Sequence, residues 1–67
     1  MLSARNQLKG TIKSVKVGQV MAEVVVNVGK FEIVSAITRT SVRKMGLKRG
    51  DNVTAVIKAT EVLIAKE

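Results

Sequence analysis

The run Val20 to Val28, VMAEVVVNV, constrains this chain more than any other stretch. Val20, Ala22, Val24, Val26 and Val28 occupy alternate positions, with Met21, Glu23, Val25 and Asn27 between them. A period of two sends successive side chains to opposite faces, so the run reads as a strand with one wholly apolar face that has to be covered. Valine is stiff at its β-carbon and fits a pleated surface, which weighs against a helix here. The strand also needs partners for its backbone N–H and C=O groups, and its neighbours offer them. Gly29-Lys30 reads as a hairpin turn, after which Phe31 to Ile37 returns with Phe31, Ile33, Ser35 and Ile37 facing in and Glu32, Val34 and Ala36 facing out. Upstream, beyond a turn at Val17-Gly18-Gln19, Asn6 to Val17 alternates as a first strand. Leu8, Gly10, Ile12 and Ser14 take one face, and Lys9, Thr11, Lys13 and Val15 the other. Gly10 inside that strand marks a bend or a close backbone approach. Val25, Val34 and Ala36 fall on the face that water should cover, which points to a contact between subunits.

The pattern changes at Ile37 to Gly50, ITRTSVRKMGLKRG. Thr38 is placed to cap a short helix over Arg39 to Met45, and Gly46 stands where such a helix takes a left-handed residue. Val42, Met45 and Leu47 form a narrow apolar stripe able to plug the end of a small barrel, while Arg39, Arg43, Lys44 and Lys48 face water. Thr38, Thr40 and Ser41 surround the helix start with hydroxyls, a candidate seat for an anion. Lys48-Arg49-Gly50-Asp51 is a turn, and Asn52 to Ile57 a fourth strand with Val53, Ala55 and Ile57 inward. Lys58 to Glu61 interrupts it, and Val62 to Ala65 is expected as a short fifth strand. The sequence therefore predicts a mainly β fold: a five-stranded, OB-like small barrel with one short helix between strands 3 and 4, all in a single domain over residues 1–67.

With 67 residues, such a domain buries only about 60% of its unfolded surface and is marginal alone. It has neither cysteine nor histidine, so disulfides and the usual transition-metal ligands are absent. Hydrophobic residues make up 46% of the chain with a single aromatic, and a homo-oligomer is the remaining way to cover them. The net charge of +7 calls for an anionic partner: nucleic acid, a lipid surface or a small oxyanion. No apolar run approaches the roughly 20 residues needed to span a bilayer, and the first ten residues lack a leader pattern, so the expectation is a cytoplasmic protein without a membrane partner. Five scattered carboxylates form neither a general acid/base pair nor a cage for a bare metal cation, and the chain reads as a binder, not an enzyme.

Basic and hydroxyl side chains recur at Ser3 to Asn6, at Thr38 to Ser41, at Lys58 to Thr60 and along the first strand at Lys9, Lys13 and Lys16. Taken singly, each has an ordinary explanation: a frayed terminus, a helix cap, a surface lysine, a solvated strand face. They acquire a function only if they converge, because a small dianion leaves water only where cations and donors replace its hydration shell. Arg5 offers a planar fork of donors, Lys58 a compact charge, and Ser3, Thr38 and Ser41 hydroxyls.

Three blocks, SARNQLKGTI, ITRTSVRKMGLKRGD and VTAVIKATEVLIAKE, in this order and at this spacing, resemble the molbindins, the small molybdate- and tungstate-binding Mop proteins built from one TOBE-type domain. The likeness spans essentially the whole chain. It implies an OB-like barrel assembled as a hexamer, a trimer of dimers, that holds oxyanions at subunit interfaces and needs no separate cofactor. It also implies roles for oxyanion-binding residues: Ser3, Ala4 and Arg5 from the first block, Thr38 and Ser41 from the T-x-x-S of the second, Lys58 and Ala59 from the third. The family more often has leucine at Met45, a departure that touches packing. A rival reading is a nucleic-acid-binding OB module, which the charge permits; it is disfavoured because such modules stack bases on exposed aromatics and the pattern turns Phe31 inward. A purely structural assembly subunit is the third reading.

Overall fold

Why a glycine stands in the middle of a long strand is explained by what lies across from it. The structure, a computed structural model, describes residues 5–66. Strand β1 runs over Asn6–Val17, β2 over Met21–Val28 and β3 over Phe31–Thr38; helix α1 follows at Arg39–Met45, then strand β4 at Asn52–Ile57 and one 3-10 turn at Ala59–Glu61. A β-carbon on Gly10 would lie 2.3 Å from the carbonyl oxygen of Asn27 and 2.8 Å from Val26 Cγ1, so only glycine lets β1 approach β2 this closely. The strands form one antiparallel sheet in the order β3-β2-β1-β4.

β1 serves both its neighbours by breaking its own alternation. Its register with β2 runs Ile12↔Val26 and then Ser14↔Val25, which leaves Lys13 as the extra residue of a bulge. Two consequences correct the simple period of two. Val15 turns inward against the core and Ser14 faces solvent, the reverse of what strict alternation predicts. Ile12, just before the bulge, is the most deeply buried side chain, and its backbone exchanges hydrogen bonds with the turn before β4: Ile12 N–H donates to Asp51 O and Gly50 N–H to Ile12 O, both at 2.9 Å.

Ile12, Ala22, Val24, Val26 and Val42 are the buried centre, with Val15, Val28, Ile33, Ile37, Leu47 and Val53 set against them. The apolar face of β2 is thus the core, as its sequence requires. α1 contributes Val42, and its ends are finished as predicted: Gly46 is left-handed at φ 62°, with its N–H donating to the carbonyls of Arg43 and Val42. In the β2–β3 hairpin Gly29 takes φ 59° and Lys30 no positive φ, the demand of a two-residue loop with glycine first.

Four expectations fail. Phe31 is 74% exposed, because the hairpin tip lies past the end of the core, so the inward assignment does not hold. Val20 lies outside β2 and is exposed, its carbonyl used instead to receive Arg39 N–H at the helix start. Met45 in the last turn of α1 is also exposed, and Val42 and Leu47 alone carry the stripe. Lastly, Val62 to Ala65 forms no strand. The 3-10 turn, closed by Glu61 N–H to Lys58 O at 2.9 Å, leads the chain away from β4, and the sheet stays four-stranded and open. The face of Val25, Val34 and Ala36 is the outer one: Val34 and Ala36 are exposed and Val25 half-buried.

Candidate functional site

The helix start is the better defined half of the candidate site. Thr38 is the N-cap, extended at φ −73° and ψ 149°. Its Oγ1 accepts from the backbone N–H of Ser41 at 3.1 Å and donates to Ser41 Oγ at 2.8 Å. One hydroxyl thus serves two bonds to the same residue. Since Ser41 Oγ accepts from Thr38, its own proton is left as a donor for a third group. No acidic side chain lies in the first turn, and Arg39 is the first helical residue, so charge and dipole there are both positive. Arg39 is half-buried, where the sequence pattern places it in water.

The other half lies where β1 begins and β4 ends. Asn6 pairs with Ile57 on the last rung between them, so Arg5 and Lys58 flank one rung on adjacent strands. Both are exposed, and Ala59 opens the 3-10 turn beside them. Ser3 and Ala4, the remaining predicted residues, lie outside the described residues.

These halves do not meet within one chain. The register sets Val17 beside Ala22 and Ala22 beside Ile37, so Thr38 lies one position beyond the far end of β1. Arg5 lies one position before its near end. The 12 residues of β1 intervene; the strand bends on the way, since its contour of roughly 40 Å at about 3.3 Å per residue exceeds the 35 Å longest extent of the molecule. The structure brings Arg5 to Lys58 and Thr38 to Ser41, and holds the pairs apart. The signal for this was in the sequence: in a meander, strands 1 and 3 run the same way, so the end of the third lies opposite the start of the first.

The apolar concavity elsewhere is no candidate for an anion. An open trough of about 650 Å³ runs between β3 and β4, and neither lysine nor arginine lines it. Among the described residues no group of three or more His, Cys, Asp or Glu side chains could hold a metal ion, and no helix is long and apolar enough to cross a membrane. The exposure of Phe31 removes one of the two grounds against base stacking; the other stands, because Phe31 is the one aromatic of the chain and a stacking platform needs one for each of successive bases.

Comparison with known proteins follows the same lines. Residues 2–64 match the family model described as the TOBE domain. Molybdenum-pterin-binding protein 3 of Clostridium pasteurianum is 48% identical over 64 residues, 94% of each chain. A molybdate-binding protein from Sporomusa ovata, solved at high resolution, superposes with a TM-score of 0.95 at 44% identity, covering 98% of both chains. ModG, described as a cytoplasmic molybdate-binding protein and solved with molybdate bound, superposes with a TM-score of 0.88 at 45% identity, over 94% of this chain and 45% of its own.

Proposed function

Because this chain belongs to the TOBE domain family, we propose that it binds molybdate, or its congener tungstate, as the intact oxyanion and holds it between copies of itself. The observation that carries this reading is the separation of the two halves. Arg5 with Lys58, and Thr38 with Ser41, are each incomplete as a dianion site, and only a second chain can set one against the other. Arg5 and Lys58 then supply the positive charge, Ser41 a hydroxyl proton held in place by Thr38, and Ser3, Ala4 and Ala59 hydroxyl and main-chain contacts at the rim. The near relatives named for molybdenum-pterin or molybdate binding support the choice of oxyanion. We assign the protein a cytoplasmic role in storing and buffering the oxyanion, in a hexamer built as a trimer of dimers.

The chain needs no general acid or base for this. Binding is an exchange of water for fixed donors, with the desolvation of a dianion offset by two cations and a set of aligned N–H and O–H groups. Ligand held by the folded assembly also stabilises it, by about 2.7 kcal/mol at a hundredfold excess over the dissociation constant. Calorimetric titration with molybdate, tungstate and sulfate tests the reading. Binding of the first two with exclusion of sulfate is expected, and no molybdate heat, or a preference for sulfate, would sink it. Salt-sensitive retention on single-stranded DNA without oxyanion binding would favour the nucleic-acid reading instead.

A further inference from the structure

Of the chain's 12 lysines and arginines, five fall between Arg39 and Arg49, and no acidic residue stands between Glu32 and Asp51. Resting on the oxyanion reading above, we propose that four of them, Arg43, Lys44, Lys48 and Arg49, draw the dianion toward the helix start by long-range attraction. They set the rate of capture without touching the bound ion.

Local structure accounts for only part of this cluster. Arg43 and Lys44 lie in the last turn of α1, where a cation offsets the negative end of the helix. Lys48 and Arg49 lie beyond that helix, and no such need places them there. All four are exposed, and none has an ion-pair partner among the described residues. Two lysines of the first strand differ: Lys13 pairs with Glu32, and Lys16 stands opposite Glu23. The carboxylate nearest to the cluster in sequence, that of Asp51, is turned to the backbone and accepts from Lys48 N–H at 3.0 Å.

The frame beneath the cluster is fixed. Leu47 N–H donates to Val42 O at 3.1 Å, Asp51 N–H to Lys48 O at 3.1 Å, and Gly50 N–H ties the turn to β1 at Ile12 O. The cations therefore stand on a rigid base at a set distance from Ser41. Lys44 lies three residues farther on, roughly 5 Å along the axis of a helix about 10 Å wide, and the turn follows directly. These dimensions put the charged ends about 10–15 Å from an anion at Ser41 Oγ. That is too far for a hydrogen bond and about one to two Debye lengths at physiological salt. A charge at this range steers a diffusing ion but adds no fixed contact, so it acts on association and leaves dissociation almost alone.

The test uses the full chain and radiolabelled molybdate. Equilibrium dialysis gives Kd, rapid filtration after a chase with unlabelled molybdate gives koff, and koff divided by Kd gives kon. In the variant Arg43→Gln/Lys44→Gln/Lys48→Gln/Arg49→Gln, kon should fall about ten- to twentyfold at about 0.01 M salt, about two- to threefold at about 0.15 M, and not measurably at about 1 M. Its koff should match the parent throughout. A loss carried by koff, a loss of the same size at every salt, or a parental kon at the lowest salt would overturn the proposal. Should that variant not fold, Lys48→Gln/Arg49→Gln, which leaves the helix untouched, decides: a fall in kon of about three- to fivefold at the lowest salt is expected, and a parental kon overturns the proposal. A parent protein that retains no molybdate would refute the oxyanion reading and this proposal together, whereas molybdate captured at the parental rate by the variants refutes the proposal alone.

Discussion

Thr38 holds the helix and is also placed against the proposed anion, and two substitutions separate these tasks. In Thr38→Ala the Ser41 N–H loses its acceptor and Ser41 Oγ its donor, bonds now made at 3.1 and 2.8 Å. Loss of such a cap costs about 1 kcal/mol, which in a domain of this size lowers Tm by roughly 4–8 °C. Thr38→Asp behaves differently. Aspartate is as good a cap as threonine or better, and its charge suits the positive end of the helix, so Tm should stay within about 2–4 °C of the parent. The same carboxylate would then face a dianion. At about 5 Å and an effective dielectric of roughly 40–80, a charge of one against two costs about 2–3 kcal/mol, a loss of affinity of roughly thirty- to 150-fold. The two variants should therefore rank in opposite order: Thr38→Ala the less stable, Thr38→Asp the weaker binder. Melts without ligand at one fixed chain concentration, paired with molybdate titration calorimetry, read both quantities. Parental affinity in Thr38→Asp would refute the placement of the anion at the helix start.

Gly10→Ala should be costly, because the new methyl meets a backbone carbonyl at 2.3 Å that cannot step aside; a loss of about 2 kcal/mol is expected in chemical denaturation, and parental stability would mean that β1 and β2 sit farther apart. Arg5→Ala and Lys58→Ala should each weaken molybdate binding by tenfold or more while circular dichroism and Tm without ligand stay near the parent, since both side chains are exposed; unchanged affinity in both would remove them from the site. Glu32→Gln breaks the Lys13–Glu32 ion pair, whose partners are about half exposed, and should change stability by less than about 0.5 kcal/mol, with a larger loss at low salt counting against a solvated pair.

Much of the local structure was present in the order of residues. The valine alternation of β2 defines one face, and that face is the core; Thr38 and Gly46 bound a helix over Arg39–Met45; Gly10 marks a close approach. In each case the cause is local: a period, a cap, a missing β-carbon. The bulge at Lys13 was not legible, because nothing in LKGTIKSVKV distinguishes a strand that keeps its register from one that skips a residue to serve two partners. Phe31 and Met45 were misplaced for a related reason, since the alternation that sorts faces does not say where along a strand or helix the core stops.

What sequence alone determined about this protein is a set of faces, ends and donors, each fixed within a few residues of itself: strands, a capped helix, an excess of positive charge, and hydroxyl and basic side chains suited to a dianion. Which of these come together was decided by tertiary structure. Antiparallel pairing places Arg5 beside Lys58 and carries Thr38 to the other end of the sheet, and the turn at Ala59–Glu61 leaves the apolar residues after it exposed. Both outcomes have one physical root. Strand pairing fixes positions between residues far apart in the chain, and here it sets the basic pair and the capped helix start at opposite ends of β1.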